Sequence, residues 1–306
     1  MKACRRMFEV ELAINGHLAD KCISFCCYDY KDKPCIGLAN DAEETANSIM
    51  QMVIRYQSLI KRNLFFCCTN CNLLNDNKEC LGDETIRFVN LSAYPSPCQS
   101  NCIYCGFKKN KRLMVYTDNE KPLYLRMIKS LELLIDRGHI DNDALWQLSP
   151  GEITIHPLRN LFYDFISNKK CIVFTNGFIF DERLASELQN NKTASLNLSI
   201  DAGNSATWRK VKGLNNYEIV IENLKKYIDK CYDRNQITLK YILLPGVNDN
   251  YENIMGLSDL LHDLKIHSVM LSRDYGGGWK NLDKGAILFE KIMNENGIII
   301  DKKAFE

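Results

Sequence analysis

The chain has 306 residues, 46% of them hydrophobic and 25% charged, with a formal net charge of +1. That is enough chain for one large and one small globular domain, and a charge this close to zero offers nucleic acid or an anionic membrane no global attraction. No apolar run reaches membrane-spanning length, and Met1–Phe8 leads into Glu9 and Glu11 rather than into the apolar stretch of a signal peptide; a cytoplasmic address with no nucleic-acid and no membrane partner is expected.

Residues 1–83 form a cysteine-rich region. Phe8 to Ala13 alternates like a strand, Asn15-Gly16 is a hairpin signal, and Lys21 to Tyr28 can supply the returning strand. Asp41 to Lys61 reads as a helix: Asp41 can cap it, Glu43 and Glu44 suit its first turn, and Ile49, Met52, Val53, Tyr56 and Ile60 recur at helical spacing.

Residues 84–275 alternate strand and helix. β-type runs at Ile86–Leu91, Leu145–Leu148, Cys171–Phe174, Leu196–Ile200, Ile237–Leu244 and Ser268–Leu271 are separated by helical stretches such as Tyr124–Arg137, Glu182–Gln189, Tyr217–Cys231 and Ile254–Leu264. Six such alternations imply an α/β fold with a parallel sheet and right-handed crossovers, closed or partly closed into a barrel. Chemistry in such folds sits at the C-terminal ends of the strands. Residues 276–306 open on Gly276-Gly277-Gly278 and read as a structural tail with a short helix (Ala286–Asn294) and a strand (Ile298–Ile300).

Fourteen cysteines are many for a cytosolic chain, where they read as metal or redox groups rather than disulfides. Nine precede residue 81, three lie at Cys98, Cys102 and Cys105, and only Cys171 and Cys231 follow. The segment Cys98-Gln99-Ser100-Asn101-Cys102-Ile103-Tyr104-Cys105 has the spacing C-x3-C-x2-C and follows the first strand of the alternating region. Three thiolates on so short a loop can hold three irons of a cubane and leave the fourth open to a ligand. The competing reading is a zinc loop, although zinc knuckles favour paired C-x2-C groups with a fourth ligand nearby.

This loop resembles that of the radical S-adenosylmethionine (SAM) superfamily, in which a C-x3-C-x-aromatic-C motif follows the first strand of a partial (β/α)6 TIM-like barrel. The resemblance implies a 4Fe-4S cluster held by Cys98, Cys102 and Cys105, with Tyr104 as the aromatic member, and SAM chelated to the open iron. One-electron cleavage of SAM then yields a 5′-deoxyadenosyl radical that abstracts a substrate hydrogen. By the same resemblance Gly151 and Glu152 match a turn that contacts the SAM amino group, with Pro150 in place of the family's first glycine. Asn176 matches a Thr-Asn-Gly after strand three. In Leu196-Asn197-Leu198-Ser199-Ile200-Asp201 the two-residue period gathers Asn197, Ser199 and Asp201 on one face, and the family uses the serine position for SAM's polar groups. Arg209 is the basic residue expected to face the SAM carboxylate, since a planar fork suits a carboxylate, with Lys210 second.

The cysteines of residues 1–83 resemble an auxiliary-cluster module of the SPASM or twitch type, placed before the barrel instead of after it. The resemblance implies a small α+β domain and an auxiliary 4Fe-4S cluster on Cys27, Cys35, Cys68 and Cys71, with Cys26 and Cys67 as alternatives within each doublet; a zinc-stabilised hairpin is the competing reading. Outside these motifs, Lys108–Arg112 reads as a solvated basic loop, His156 as a surface-loop histidine that could also donate a proton, and Lys240 as a strand-end lysine that could face the barrel interior. The reading as a whole is a radical SAM oxidoreductase or maturase that oxidatively modifies a peptide or protein side chain, served by a flavodoxin- or ferredoxin-type reductant. Its alternatives are radical dehydrogenation or epimerisation of a small-molecule sugar or cyclitol, and a non-catalytic iron–sulfur carrier or sensor.

Overall fold

Apolar runs bounded by turn residues become strands, and the stretches between them wind into helices whose ends are capped locally. The structure, a computed structural model, describes residues 11–13, 22–24, 35–37, 39–62, 84–91, 95–105, 114–149, 151–273 and 282–304. Its contacts divide it into two units, one of Met1–Pro97, Arg112–Gly151 and His156–Cys171, the other of Cys98–Lys111, Glu152–Ile155 and Ile172–Glu306.

The first unit contains β1 (Glu11–Ala13), β2 (Cys22–Ser24), β3 (Cys35–Gly37), α1 (Ala42–Lys61), β4 (Ile86–Leu91), α2 (Lys121–Asp136), β5 (Ile140–Leu148) and α3 (Arg159–Ile166). Its strands lie in the order β5-β4-β1-β2-β3. β1 pairs antiparallel with β2 through Ala13 and Ser24, while the expected turn at Asn15-Gly16 lies outside the described residues. β3 adds antiparallel to β2, whereas β1 pairs in parallel with β4 and β4 with β5. Asp41 accepts a hydrogen bond from the Glu44 N–H at 3.4 Å at the start of α1, and Ala46, Ile49 and Val53 face inward. The Arg137 guanidinium beyond α2 donates to Glu43 and Asn47 of α1. β5 begins five residues earlier than expected: Ile140 pairs with Ile86, but the intervening Asn142 and Asp143 are exposed and carry no apolar signal.

The second unit contains β6 (Cys171–Thr175), α4 (Glu182–Asn190), β7 (Ala194–Ser199), α5 (Ser205–Lys212), α6 (Tyr217–Lys230), β8 (Ile237–Leu243), α7 (Tyr251–Asp263), β9 (Ser268–Arg273), α8 (Leu282–Glu295) and β10 (Ile299–Ala304). The strand order is β6-β7-β8-β9-β10, and β7–β8, β8–β9 and β9–β10 pair in parallel. Side-chain caps start the helices: Asp181 accepts from the N–H groups of Arg183 and Leu184, Asn204 from Thr207, and Asn250 from Asn253. The apolar faces of α6 and α7 bury Val220, Leu224, Tyr227, Ile254, Leu257 and Leu261. The C-terminal segment does more than trail from the domain. α8 buries Phe289, Ile292 and Met293, and β10 extends the sheet beside β9.

Candidate functional site

The cysteine loop has no regular structure of its own and borrows its backbone order from α5. The last carbonyls of a helix have no partner within it; here the Asn101 N–H donates to Lys212 O and the Ile103 N–H to Val211 O, each at 3.0 Å. Gly213 ends α5 at φ 76°, and a Cβ there would stand 3.0 Å from Asn101 Cβ. Gly213→Ala is therefore expected to cost about 1–2 kcal/mol, from a left-handed conformation that L side chains resist and from displacement of the loop; thermal unfolding checks it. Cys102 is buried, and Cys98 and Cys105 are half-buried.

A second tether runs through Asn176, at the end of β6. Its Nδ2 donates to Cys98 Sγ at 3.8 Å and to Gln99 Oε1 at 3.5 Å, while Oδ1 accepts from the Phe178 N–H at 3.0 Å. Asn176 is itself set by Glu152, whose Oε2 accepts its backbone N–H at 2.7 Å. Glu152 Oε1 accepts from Thr175 Oγ1 at 2.7 Å, Thr154 Oγ1 at 2.8 Å and Thr154 N at 3.2 Å. Burial pushes the Glu152 carboxyl above its ordinary range, and these four donors work against that shift. The preceding Gly151 has φ 41°, and a Cβ on it would meet the carbonyl oxygens of Ser96 and Pro97 at 2.8 Å, so this turn accepts only glycine.

The third tether is Tyr104. Its hydroxyl donates to Asp201 Oδ2 at 2.6 Å, just beyond β7. Lys212 Nζ donates to the same oxygen at 2.5 Å and to the Tyr104 hydroxyl at 2.9 Å. Asp201 Oδ1 accepts the Ile242 N–H at 2.6 Å. Both ion-pair side chains are fully buried. Burial opposes the charge on Lys212, but Asp201 and, beyond it, Cys102 hold the ammonium above the ordinary lysine value. The basic residues of α5 divide between solvent and core. Arg209 and Lys210 are exposed, and the basic residue that α5 turns inward is Lys212. Its spacing carries the signal, because Trp208, Val211 and Lys212 share the buried helix face at i, i+3 and i+4. Ser199, half-buried at the end of β7, is the register partner of Lys240.

The model of the radical SAM superfamily matches residues 96–257, a span that holds all three tethers. The chain belongs to the radical SAM superfamily. Its relatives include the ribosomal RNA large subunit methyltransferase N of Nitrosopumilus maritimus, 25% identical over 224 residues, which are 66% of this chain and 59% of that protein. A UPF0026 protein of Helicobacter pylori is 24% identical over 190 residues, 60% of each chain. The chain thus spans about three-fifths of the length of these relatives. Among solved structures, Streptococcus suis SuiB bound to the precursor peptide SuiA is similar at a TM-score of 0.55 and 13% identity, over 99% of this chain and 73% of SuiB. A radical SAM methyltransferase from Sphaerobacter thermophilus is similar at a TM-score of 0.51 and 20% identity, over 69% and 63%. At these identities the likeness is one of fold.

The superfamily uses a 4Fe-4S cluster and SAM, and the residues present fit the cluster. Three thiols lie on one loop, with an amide donor on Cys98, the Ser100 hydroxyl 2.9 Å from Cys102 Sγ, and the Lys212 charge close enough to act on both. Burial pushes the Cys98 thiol up to about 12, so it is a bound cation that would make it a thiolate. Among the described residues no three Cys, His, Asp or Glu side chains close around a single-ion point.

Other expected residues fall elsewhere. Lys240 carries its Nζ 5.7 Å from the centre of the Phe174 ring, and burial lowers its pKa. His156 is no surface residue: fully buried in the first unit, it packs edge-on against Tyr116, Tyr124 and Phe162 at 5.3–5.4 Å. Its Nδ1 accepts the Leu158 N–H at 3.0 Å, and Nε2 has no hydrogen-bond partner among the described residues. Burial lowers its pKa to about 4. Between that value and the ordinary histidine value near 6.5 the unfolded chain binds a proton that the folded chain refuses, so stability falls as pH drops through this window. The expected loss is about 3 kcal/mol by pH 4, and His156→Phe is expected to remove it, as urea unfolding across this range would show. Cys27, Cys68, Cys71, Cys26, Cys67 and Lys108–Arg112 lie outside the described residues, apart from the order of the backbone at Cys35 in β3.

Proposed function

We propose that this chain is a radical SAM enzyme that cleaves SAM reductively and abstracts a hydrogen from its substrate, most simply in the oxidative modification of a peptide or protein side chain. The observation that carries the reading is the C-x3-C-x2-C loop with each of its cysteines near a residue that holds the loop in place. When bound, the cluster at Cys98, Cys102 and Cys105 supplies the electron that cleaves SAM. The chain's own part is to present three thiols from one loop, to hold that loop from α5, β6 and the end of β7, and to keep the charged side chains beneath it out of water. Gly151, Glu152, Asn176, Ser199 and Arg209 remain the residues we assign to the SAM side of the site, while Asp201, the other residue expected there, has both carboxylate oxygens taken up by Tyr104, Lys212 and the Ile242 N–H.

The peptide substrate is favoured by likeness to SuiB, whose structure holds a precursor peptide. A second reading, methyl transfer, is favoured by the methyltransferases among the relatives and similar structures. The proposal also includes an auxiliary cluster on Cys27, Cys35, Cys68 and Cys71 within residues 1–83 and a cytosolic flavodoxin or ferredoxin as reductant. Anaerobic loading with iron and sulfide, followed by dithionite and SAM, is expected to yield 5′-deoxyadenosine by chromatography. Failure of 5′-deoxyadenosine to exceed that from the unloaded chain would overturn the reading. Methyl-labelled SAM separates the two outcomes by whether label enters the product.

A further inference from the structure

The cysteine loop leaves Asn101 and Ile103 exposed and makes no helix or strand. A segment of this kind is ordinarily mobile unless side chains tie it down. Tyr104, between the second and third cysteines, is where such a tie is made. Its ring packs on the cluster of Val211, Ile242 and Leu244. Its hydroxyl, Asp201 Oδ2 and Lys212 Nζ form a closed triangle with sides of 2.6, 2.5 and 2.9 Å. Each corner comes from a different place: the loop, the end of β7 and the last turn of α5. The fourth contact, from the Ile242 N–H, adds β8.

The hydroxyl both donates and accepts, the carboxylate only accepts and the ammonium only donates, so every bond has one sense. Asp201 adopts φ 48° to make this geometry, an unfavourable backbone for a residue other than glycine. Well-packed apolar side chains of similar volume often hold a fold as firmly as a buried ion pair does. What the charged triangle adds is direction, because only one placement of Tyr104 completes it.

We propose that Tyr104, Asp201 and Lys212 are a buried latch that holds the cysteine loop in its ligating shape before any iron is bound, with Lys212 as its positioning residue. That the shape serves cluster ligation rests on the function proposed above; the latch itself does not.

Amide hydrogen exchange of the full-length, reduced, metal-free chain tests it. Tyr104→Phe keeps the ring and removes the hydroxyl. The Asn101 and Ile103 amides are then expected to exchange about tenfold faster, the size of one lost hydrogen bond to a charged group, while the β9 amides keep their wild-type rates. Asp201→Asn with Lys212→Met removes both charges together, avoids an unpaired buried ion, and is expected to speed the same two amides. Lys212→Arg is expected to restore part of the protection. Cluster assembly, followed by iron per chain against time, is expected to slow by a similar factor in Tyr104→Phe. Unchanged loop exchange in both variants overturns the latch, and so does equal acceleration in loop and β9, which marks a role in the fold alone. The expected exchange pattern in the variants together with no 5′-deoxyadenosine from the loaded wild-type chain keeps the latch and loses the functional reading.

Discussion

Cys98→Ala is expected to lower 5′-deoxyadenosine formation by more than about 10³-fold, the scale seen when a member of an interdependent catalytic set is removed, while leaving the fold intact. Cys98 is half-buried, and its Sγ takes a long hydrogen bond from Asn176 Nδ2 and another from the Ser100 backbone. The loop keeps its other attachments in the variant: the Asn101 and Ile103 backbone bonds to α5 and the Tyr104 hydroxyl bond to Asp201. Loss of one partly buried sulfur should cost about 1 kcal/mol of stability. On the function proposed above, loss of one of three ligands on a loop with no spare cysteine would remove the cluster. The measurement is chromatography of the nucleoside product beside a thermal melt. Product at wild-type level would show that the loop is not the site of SAM cleavage, and a melt lowered as far as activity would show that Cys98 serves the fold.

Glu152→Ala is expected to destabilise the chain by about 3–5 kcal/mol, since several buried donors lose their acceptor at once and each orphaned group costs about 1–3 kcal/mol. The carboxylate is almost wholly removed from solvent and satisfies four donors, two on Thr154 and one each on Thr175 and Asn176. Alanine leaves all four without an acceptor in a space that water reaches poorly, and each orphaned group carries its own desolvation cost. Glu152→Gln keeps one oxygen but turns an amide donor toward other donors, so it is expected to recover only part of the loss. Urea unfolding at pH 7 measures both. A Glu152→Ala midpoint within 1 kcal/mol of wild type would mean that the four donors find other partners and that Glu152 does not set Asn176.

The residues that these experiments address were legible to different degrees. The start of α1 reads correctly because Asp41 acts on an N–H group three residues away, which is information the local sequence holds; Asn250 caps α7 at Tyr251 in the same way, three residues before the apolar spacing alone begins at Ile254. α3 holds Phe162, Phe165 and Ile166 at helical spacing, but eight residues give too few repeats to stand out in the sequence. The first half of β5 carries no apolar pattern, because its Asn142 and Asp143 side chains meet water; it pairs with β4 at Ile140.

By itself the sequence determined the spacing of Cys98, Cys102 and Cys105 and the order of strands and helices after them, since both depend on residues close together in the chain. The basic residue of α5 that turns inward is written in the spacing, since Trp208 and Val211 put Lys212 on the one buried face of the helix and leave Arg209 in solvent, but what Lys212 meets there came from the packing. Only the tertiary structure decided that His156 is buried among aromatic rings from distant parts of the chain, and that Tyr104, Asp201 and Lys212, up to 108 positions apart, meet in one triangle. Contacts at such separations are made by packing, and no local pattern of residues records them.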